Sequence, residues 1–394
     1  MLDWLILGGG VHGTLISRAL VGKGGCDPDR VRVLDPYPEP LQRWAECTTN
    51  IGMRYLRSSL VHHLDEAPLS LERFSHGRSD SRPPFRGQYQ RPSLELFNDH
   101  CRTVIDRCGL RSLRLQGRAR DLRRYDGRFV VDTDNGALQS RRVVLALGAS
   151  DQPQWPDWAK KLRADGAAVH HVFDPGFRLG ELPDGRRLAV IGGGISALQT
   201  AETLIRDPAR SVQLIARHPA RVFDFDTDST WLGPKRLRVF DRLRSPDERR
   251  VAITEARHRG SSPPGVERRF RRAVERQAVG VTLGDVSAAH AGSEIDLEVT
   301  EASTISTDVV LLATGFSSER PGGAFLDSVI DRHGLECAAC GYPVVDRNLR
   351  WDSGLYVTGP LAELELGPTA RNIHGARLAG ERLAEVARSG LQEY

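Results

Sequence analysis

The sequence predicts an α/β protein made of two related strand, turn and helix units, one inserted into the other, and three observations carry that expectation. GGGVHG, Gly8 to Gly13, and GGGISA, Gly192 to Ala197, each follow a short apolar run and open a helical stretch. VVLALGAS, which passes Gly148, and DVVLLATGF, which passes Gly315, repeat one exit of apolar strand, small residue and glycine. GLYVTGP, Gly354 to Pro360, reads as one more buried strand beyond the second unit, so the chain returns to the first.

The elements follow in order. Residues from Trp4 give a strand, the glycine turn, a helix to about Val21 and a second strand ending at Asp35. Pro36 to Pro92 is rich in Pro, Ser and Arg, a long irregular stretch of the kind that wraps a ligand. Leu94, Phe97, Cys101, Val104 and Ile105 have helical spacing behind Ser93 as a cap. Leu113 to Leu122 and Phe129 to Val131 alternate as a small antiparallel element, and Arg141 to Ser150 is a buried strand ending in a glycine turn. The expected borders are 1–150 for the first part of the leading domain and 151–187 for a connector. Residues 188–318 form the inserted domain, with a basic insertion at 219–280, and 319–394 close the first domain, with a terminal helix from about Thr369 to Ser389. Both domains are expected to be Rossmann-like, in three ββα layers.

Each glycine turn has one physical use. Glycines let the backbone turn tightly and approach a pyrophosphate, whose charge meets free amides and the positive end of a helix. The strand ends then distinguish two ligands. Asp35 lies twenty-seven positions after Gly8, where a carboxylate accepts from the ribose hydroxyls of an unphosphorylated adenosine, as FAD presents. Arg217 lies twenty-five positions after Gly192, where a guanidinium grips a 2′-phosphate that an acid would repel, as NADPH presents, with His218 and Arg221 as helpers. The expected cofactor contacts are Gly8, Gly10, His12, Gly13 and Asp35 in the first unit and Gly192, Gly194, Ser196, Ala197 and Arg217 in the second. Gly148, Thr314 and Gly315 at the two exits and Gly359, Gly367 and Thr369 in the C-terminal return complete them.

Composition narrows the class. With 394 residues, 40% hydrophobic and 27% charged, the chain has room for two domains with substantial cores. The first strand begins at Leu2, and no apolar run approaches the length that crosses a bilayer, so neither secretion nor a membrane partner is expected. Six scattered cysteines suit a reducing cytoplasm. Cys337 and Cys340 have CxxC spacing but no second CxxC and no glycine turn beside them, so they read as structural. The pairs His62, His63 and His170, His171 diverge on a strand, and no metal is expected. The net charge of +4 conceals an asymmetry: Pro234 to Arg276 holds 14 Lys and Arg against 6 Asp and Glu. Without interleaved aromatics beyond Phe240 and Phe270, that run suits a solvated face or the steering of NADPH and an anionic substrate better than nucleic acid.

The whole constellation resembles the two-dinucleotide flavoproteins, and within them the N-hydroxylating monooxygenases that act on ornithine and lysine. DPYPEPLQRWAECTTNIGMRYLRSSLVHHLDEAPLSLERF is similar to the stretch these enzymes place between the second strand and the flavin ring. Trp44 matches their aromatic, Met53 with Arg54 their Met-Gln pair, and Tyr55, Leu56 and Arg57 their Phe-Leu-Lys. GGGISALQTAE resembles their NADPH turn, and DFDTDSTWLGPKRLRVFDRL the segment after the NADPH strand. Two departures stand out. Gly233-Pro234 follows Trp231 where the family has Asn-Glu, which removes groups that serve an amino-acid substrate, and Gly359-Pro360 stands where many relatives have Gly-Asp.

The resemblance implies an NADPH-dependent FAD monooxygenase that passes one oxygen from a flavin hydroperoxide to a nucleophilic heteroatom, nitrogen first, of a small molecule. Its partners are then that substrate and molecular oxygen, and a homo-oligomer is compatible with it. It also implies Arg57, Arg54 and Trp231 at the ring or substrate pocket and Met53 against the isoalloxazine. The alternatives are sulfur oxidation or Baeyer-Villiger insertion, an NADPH-dependent reductase of the disulfide-reductase type lacking a redox dithiol, and a non-catalytic flavoprotein.

Overall fold

In the computed structural model, which describes residues 1–391, strand β1 (Leu2–Leu7) is apolar from Trp4 onward because both faces of that part are covered. Trp4 to Leu7 are each at most 2% exposed. Gly8 to Gly10 turn the chain into helix α1 (Val11–Val21), and β2 (Val31–Asp35) returns parallel to β1 with Trp4 opposite Val31. The Pro-rich stretch that follows is less irregular than its composition suggests. It holds α2 (Gln42–Asn50), α3 (Ser70–Ser75) and a two-stranded hairpin of β3 (Phe85–Arg86) and β4 (Arg91–Pro92). Helix α4 (Leu94–Arg107) begins where expected, its first turn capped by the Ser93 hydroxyl, which accepts from the Leu96 amide at 3.1 Å. Strand β5 (Arg114–Gln116) then leads into an antiparallel meander of β6 (Ala119–Tyr125), β7 (Arg128–Thr133) and β8 (Gly136–Leu145).

The inserted lobe starts earlier than residue 188. After α5 (Asp157–Ala164), strand β9 (Val169–His171) joins the lobe's sheet beside the exit strand, so part of the expected connector is an edge of the second domain. Then come β10 (Arg187–Ile191), α6 (Ile195–Leu204), β11 (Ser211–Ala216) and β12 (Arg221–Val222). The basic insertion folds as α7 (Pro234–Phe240), α8 (Pro246–Ala256), β13 (Ser261–Ser262) and α9 (Pro264–Glu275). Strand β14 (Gly280–Leu283), a small antiparallel sheet of β15 (Val286–Ala291), β16 (Ile295–Val299) and β17 (Ile305–Thr307), and exit strand β18 (Val309–Leu312) complete the lobe. In the parallel order β14-β11-β10-β18-β9 the central strands β10 and β18 are buried on both faces, and strand alternation sorts their side chains. Leu188, Val190, Val309 and Leu311 join the core with α6 and α9, whereas Ala189, Ile191, Val310 and Leu312 meet Val286, Leu297 and Val299 of the small sheet.

After α10 (Gly323–His333), strands β19 (Arg350–Asp352) and β20 (Leu355–Val357) complete the first sheet in the order β19-β20-β8-β1-β2-β5. The first domain is therefore discontinuous, as the returning apolar run predicted. A short α11 (Glu363–Leu366) precedes α12 (Ile373–Leu391), which lies against α1 so closely that a Cβ on Gly380 would stand 3.2 Å from Ala19. Helix α12 begins four residues later than Thr369, because the Asn372 side chain, accepting from the Gly375 amide at 3.1 Å, is its cap. Among the described residues no helix is long and apolar enough to cross a membrane.

Candidate dinucleotide sites

The first glycine turn is fixed by close approach. Gly8 sits at φ +111°, and a Cβ there would stand 2.5 Å from the Ala146 carbonyl; a Cβ on Gly13 would collide with the Gly8 carbonyl. Gly10 differs, because its φ of −71° suits any residue and a Cβ there would meet nothing within 4 Å. It opens an eleven-residue helix that has no side-chain cap and no acid in its first turn, which is the arrangement an anion takes. At the strand end, the Asp35 carboxylate accepts from the Gly9 amide, from the Tyr37 amide at 2.9 Å and from Arg114 Nη2 at 3.2 Å. An ionised carboxylate offers about four lone-pair sites, so acceptor capacity for a ribose hydroxyl remains. Arg114, which burial pushes below its ordinary pKa against the pull of Asp35, also donates to the Tyr37 and Pro38 carbonyls.

The C-terminal return meets this turn. His12 Nδ1 lies 2.9 Å from the Thr358 hydroxyl, burial lowers its pKa to about 4 against a bond to the Arg371 backbone, and the neutral ring lies beside Gly359 at φ +66°. Thr369 is fully buried and its hydroxyl has no partner among the described residues. The glycine cradle, the uncapped helix and this buried hydroxyl fit a flavin dinucleotide. Because Gly10 is constrained by neither space nor dihedral angle, Gly10→Val is expected to fold like the parent yet purify colourless, whereas Gly13→Val is expected to fail in folding. Circular dichroism with the 450 nm flavin absorbance separates the two, and a yellow Gly10→Val protein would move the cofactor elsewhere.

The second turn repeats the first. Gly192 has φ +141°, with a Cβ there 2.5 Å from the Ala313 carbonyl; Gly194 caps the ten-residue α6 without a side-chain bond, and Ser196 and Ala197 lie in its first turn. Ala197, fully buried, takes the place of the third glycine. Arg217 is exposed just past β11 and has no ion pair or hydrogen bond among the described residues; exposed Arg221 is likewise unpaired. His218, bonded through Nδ1 to the Pro219 carbonyl at 2.8 Å, lies 3.6 Å from where a Gly193 Cβ would be. An uncapped helix beside unpaired cations fits a phosphorylated nicotinamide dinucleotide. Thr314 and Gly315 at the exit tie this lobe to the link: the Thr314 hydroxyl donates to the Gln154 carbonyl, and the Gln154 amide donates to Gly315 at 2.9 Å. At the other exit, exposed Gly148 opens a short turn whose Ser150 carbonyl accepts from Arg43 at 3.0 Å.

Between the lobes, Arg57 is a brace. Its guanidinium donates to the carbonyls of Phe223 (2.9 Å), Asp224 (3.2 Å), Phe225 (2.6 Å) and Ser261 (3.3 Å) and to the Ser261 hydroxyl (2.9 Å). Burial lowers its pKa to about 10, with Asp226 opposing. Arg54 keeps a buried Nε without a partner, and burial, then Arg206, hold its pKa below the ordinary value. Met53 packs against the cores of both lobes, and Trp44 bonds Asn98 through Nε1 at 3.2 Å and tilts against Phe97. Trp231 lies edge-on to Phe240 at 5.9 Å in a small core with Ile253, Tyr342 and Leu364, and a Cβ on Gly367 would stand 3.6 Å from the same Phe240. The structure thus joins Trp231 to the Gly367 turn through Phe240, and Arg57 to the β12 and β13 ribbon. Two contributors carried no sequence signal: Arg114, and the buried Glu363 that Arg250, Arg257 and Arg371 surround. Among the described residues no cluster of three or more His, Cys, Asp or Glu could hold a metal, and all six cysteines are free.

The FAD-NAD(P)-binding profile matches residues 5–150, and the profile of the pyridine nucleotide-disulphide oxidoreductases matches residues 109–380. The fold is similar to reduced ornithine hydroxylase of Pseudomonas aeruginosa at TM-score 0.77 and 18% identity, covering 99% of this chain and 100% of the other. It is similar to the ornithine N-hydroxylase of Kutzneria sp. 744, described with reduced FAD, NADP+ and L-ornithine, at TM-score 0.75 and 16% identity, covering 99% and 100%. Bacillithiol disulfide reductase of Bacillus cereus gives TM-score 0.64 at 18% identity, covering 99% of both chains. No curated protein matches by sequence. Identities this low speak to fold alone, whereas the second profile spans well over half of the chain: it belongs to the pyridine nucleotide-disulphide oxidoreductase family, and its cofactors are FAD and a nicotinamide dinucleotide.

Proposed function

We propose that this protein is an NADPH-dependent FAD monooxygenase that oxidises a nucleophilic heteroatom, nitrogen first, of a small metabolite in a reducing cytoplasm. The observation that carries the reading is the end-to-end likeness to N-hydroxylases, closer than to the reductase, in a chain whose two uncapped helices stand behind Asp35 and Arg217. Bound FAD would supply the oxygen chemistry, with the nicotinamide dinucleotide as the source of electrons. The chain's own residues position and shield. The α1 and α6 amides hold the two pyrophosphates, Arg217 selects the phosphorylated nicotinamide, and the Arg57 brace keeps the lobes in register so that water is excluded. Gly233-Pro234 after Trp231 argues against ornithine or lysine, because two polar substrate-binding side chains are missing.

The test is oxygen uptake during NADPH oxidation against a panel of amines, amino acids and thioethers, with products analysed for N- or S-oxidation. NADPH oxidation without oxygen uptake but with disulfide reduction would replace the reading by the reductase one. Arg217→Ala is expected to raise the KM for NADPH about tenfold to a hundredfold, the value of one or two charge-assisted hydrogen bonds, and to leave NADH unchanged. Equal losses for both nucleotides would remove Arg217 from the phosphate site.

A further inference from the structure

A cavity of about 470 Å³ opens between the lobes, and none of its lining residues belongs to a glycine turn or to the Arg217 strand end. Its walls carry five arginines and a single carboxylate. Arg86 and Arg91, from the β3 and β4 hairpin, form one side; Arg268, Arg269 and Arg272, from α9, form the other. Two of the five are already neutralised, Arg91 by Asp224 at 2.8 Å and Arg269 by Glu202 at 3.0 Å. Arg86, Arg268 and Arg272 have no carboxylate partner among the described residues; Arg86 rests instead over the Tyr55 ring, 5.7 Å from its centre. The start of α9, which has no side-chain cap, borders the same space, and Glu267 in its first turn faces Arg271 at 3.9 Å.

Uncompensated like charges on opposite walls repel, and the two walls belong to different lobes, so the surplus opposes their closure. An anion of two or more charges placed between them reverses the sign of that interaction. Guanidinium forks match phosphate and carboxylate oxygens in pairs, and the volume is in the range of small-molecule sites, roughly 300–1,000 Å³. We propose that this cavity binds a small polyvalent oxyanion, a phosphate ester or a polycarboxylate, held between Arg86 on one lobe and Arg268 and Arg272 on the other. The site does not depend on the oxygen-transfer reading.

The experiment is calorimetric titration of the FAD-loaded protein, saturated with NADP+, with inorganic pyrophosphate and separately with citrate. At least one probe is expected to bind, more weakly as salt is raised, and to lose tenfold or more in affinity in Arg86→Ala and in the Arg268→Ala, Arg272→Ala double variant. These side chains are exposed, so the variants are expected to keep their flavin and their NADP+ affinity. Pyrophosphate alone binding assigns a phosphate ester, and citrate alone a polycarboxylate. Three outcomes overturn the proposal: no binding of either probe once NADP+ is present, binding indifferent to all three arginines, or binding lost only in Arg217→Ala.

Discussion

Glu363→Ala is expected to cost about 3–5 kcal/mol of stability, the range found when one partner of a buried ion pair is removed. Glu363 is fully buried. One of its oxygens accepts from Arg250 Nη1 and from Arg371 Nη2 at 3.0 Å, the other from Arg257 Nη2 at 2.8 Å and Arg371 Nε at 2.7 Å. Burial would raise its pKa, but Arg371 first, then Arg257 and Arg250, hold the carboxyl below its ordinary value. Without the acid, three largely buried guanidiniums face one another, and Arg250 and Arg257 already leave one buried nitrogen each unpartnered. Arg250 in α8 and Arg257 at its C-terminal cap belong to the insertion, whereas Glu363 and Arg371 belong to the returning part of the first domain, so the loss falls on the attachment between lobes. Glu363→Gln, which keeps an acceptor but not the charge, is expected to lose less. Urea unfolding followed by flavin fluorescence reads both, and a Glu363→Ala variant within 1 kcal/mol of the parent would show that the arginines relax into solvent.

That cluster also marks where the sequence stops being legible. Runs such as Trp4 to Leu7 and Leu188 to Ile191 are buried on both faces and announce themselves, and each leads into a glycine turn that has one geometric use. Ser93 was readable for the same reason, as a capping residue next to a helical period. Strand β9 was not, because three residues, two of them histidines, carry no period that a scan can detect. The start of α12 was misplaced because Gly367 and Pro368 look like a helix entrance while the true cap, Asn372, lies beyond them. The long-range partners had no local signature at all: Arg114 meets Asp35 across 79 positions, and Arg57 reaches the Phe225 carbonyl across 168. Such contacts are chosen by how sheets and helices stack, and a motif shared with relatives does not say whether an arginine faces a ligand or a row of carbonyls.

Acidification is expected to destabilise this protein more than any single substitution. Burial lowers His12, His62, His63, His100 and His171 from 6.5 to about 4. Two of them show why in their bonds: His63 Nδ1 accepts from the Asp65 amide at 3.1 Å, and His171 Nδ1 accepts from the Phe173 amide at 3.1 Å. A proton on either nitrogen breaks that bond and places a charge in the core. The folded state therefore resists protonation down to about pH 4, while the unfolded chain takes up protons below 6.5. Stability is complete above 6.5 and falls as the pH drops from 6.5 towards 4, because the unfolded state binds more protons in that window. One pKa unit is worth about 1.4 kcal/mol, so each histidine contributes on the order of 3 kcal/mol at the acid end. His63 and His100 are 5.0 Å apart and do not contribute independently, yet the set still rivals the roughly 5–15 kcal/mol that holds a whole domain together. Unfolding free energies at pH 7.5, 6 and 5 should decline with a slope corresponding to more than one proton, and His171→Gln should make that slope shallower. Equal stability at pH 7.5 and 5 would mean that these imidazoles are reached by water in the folded state.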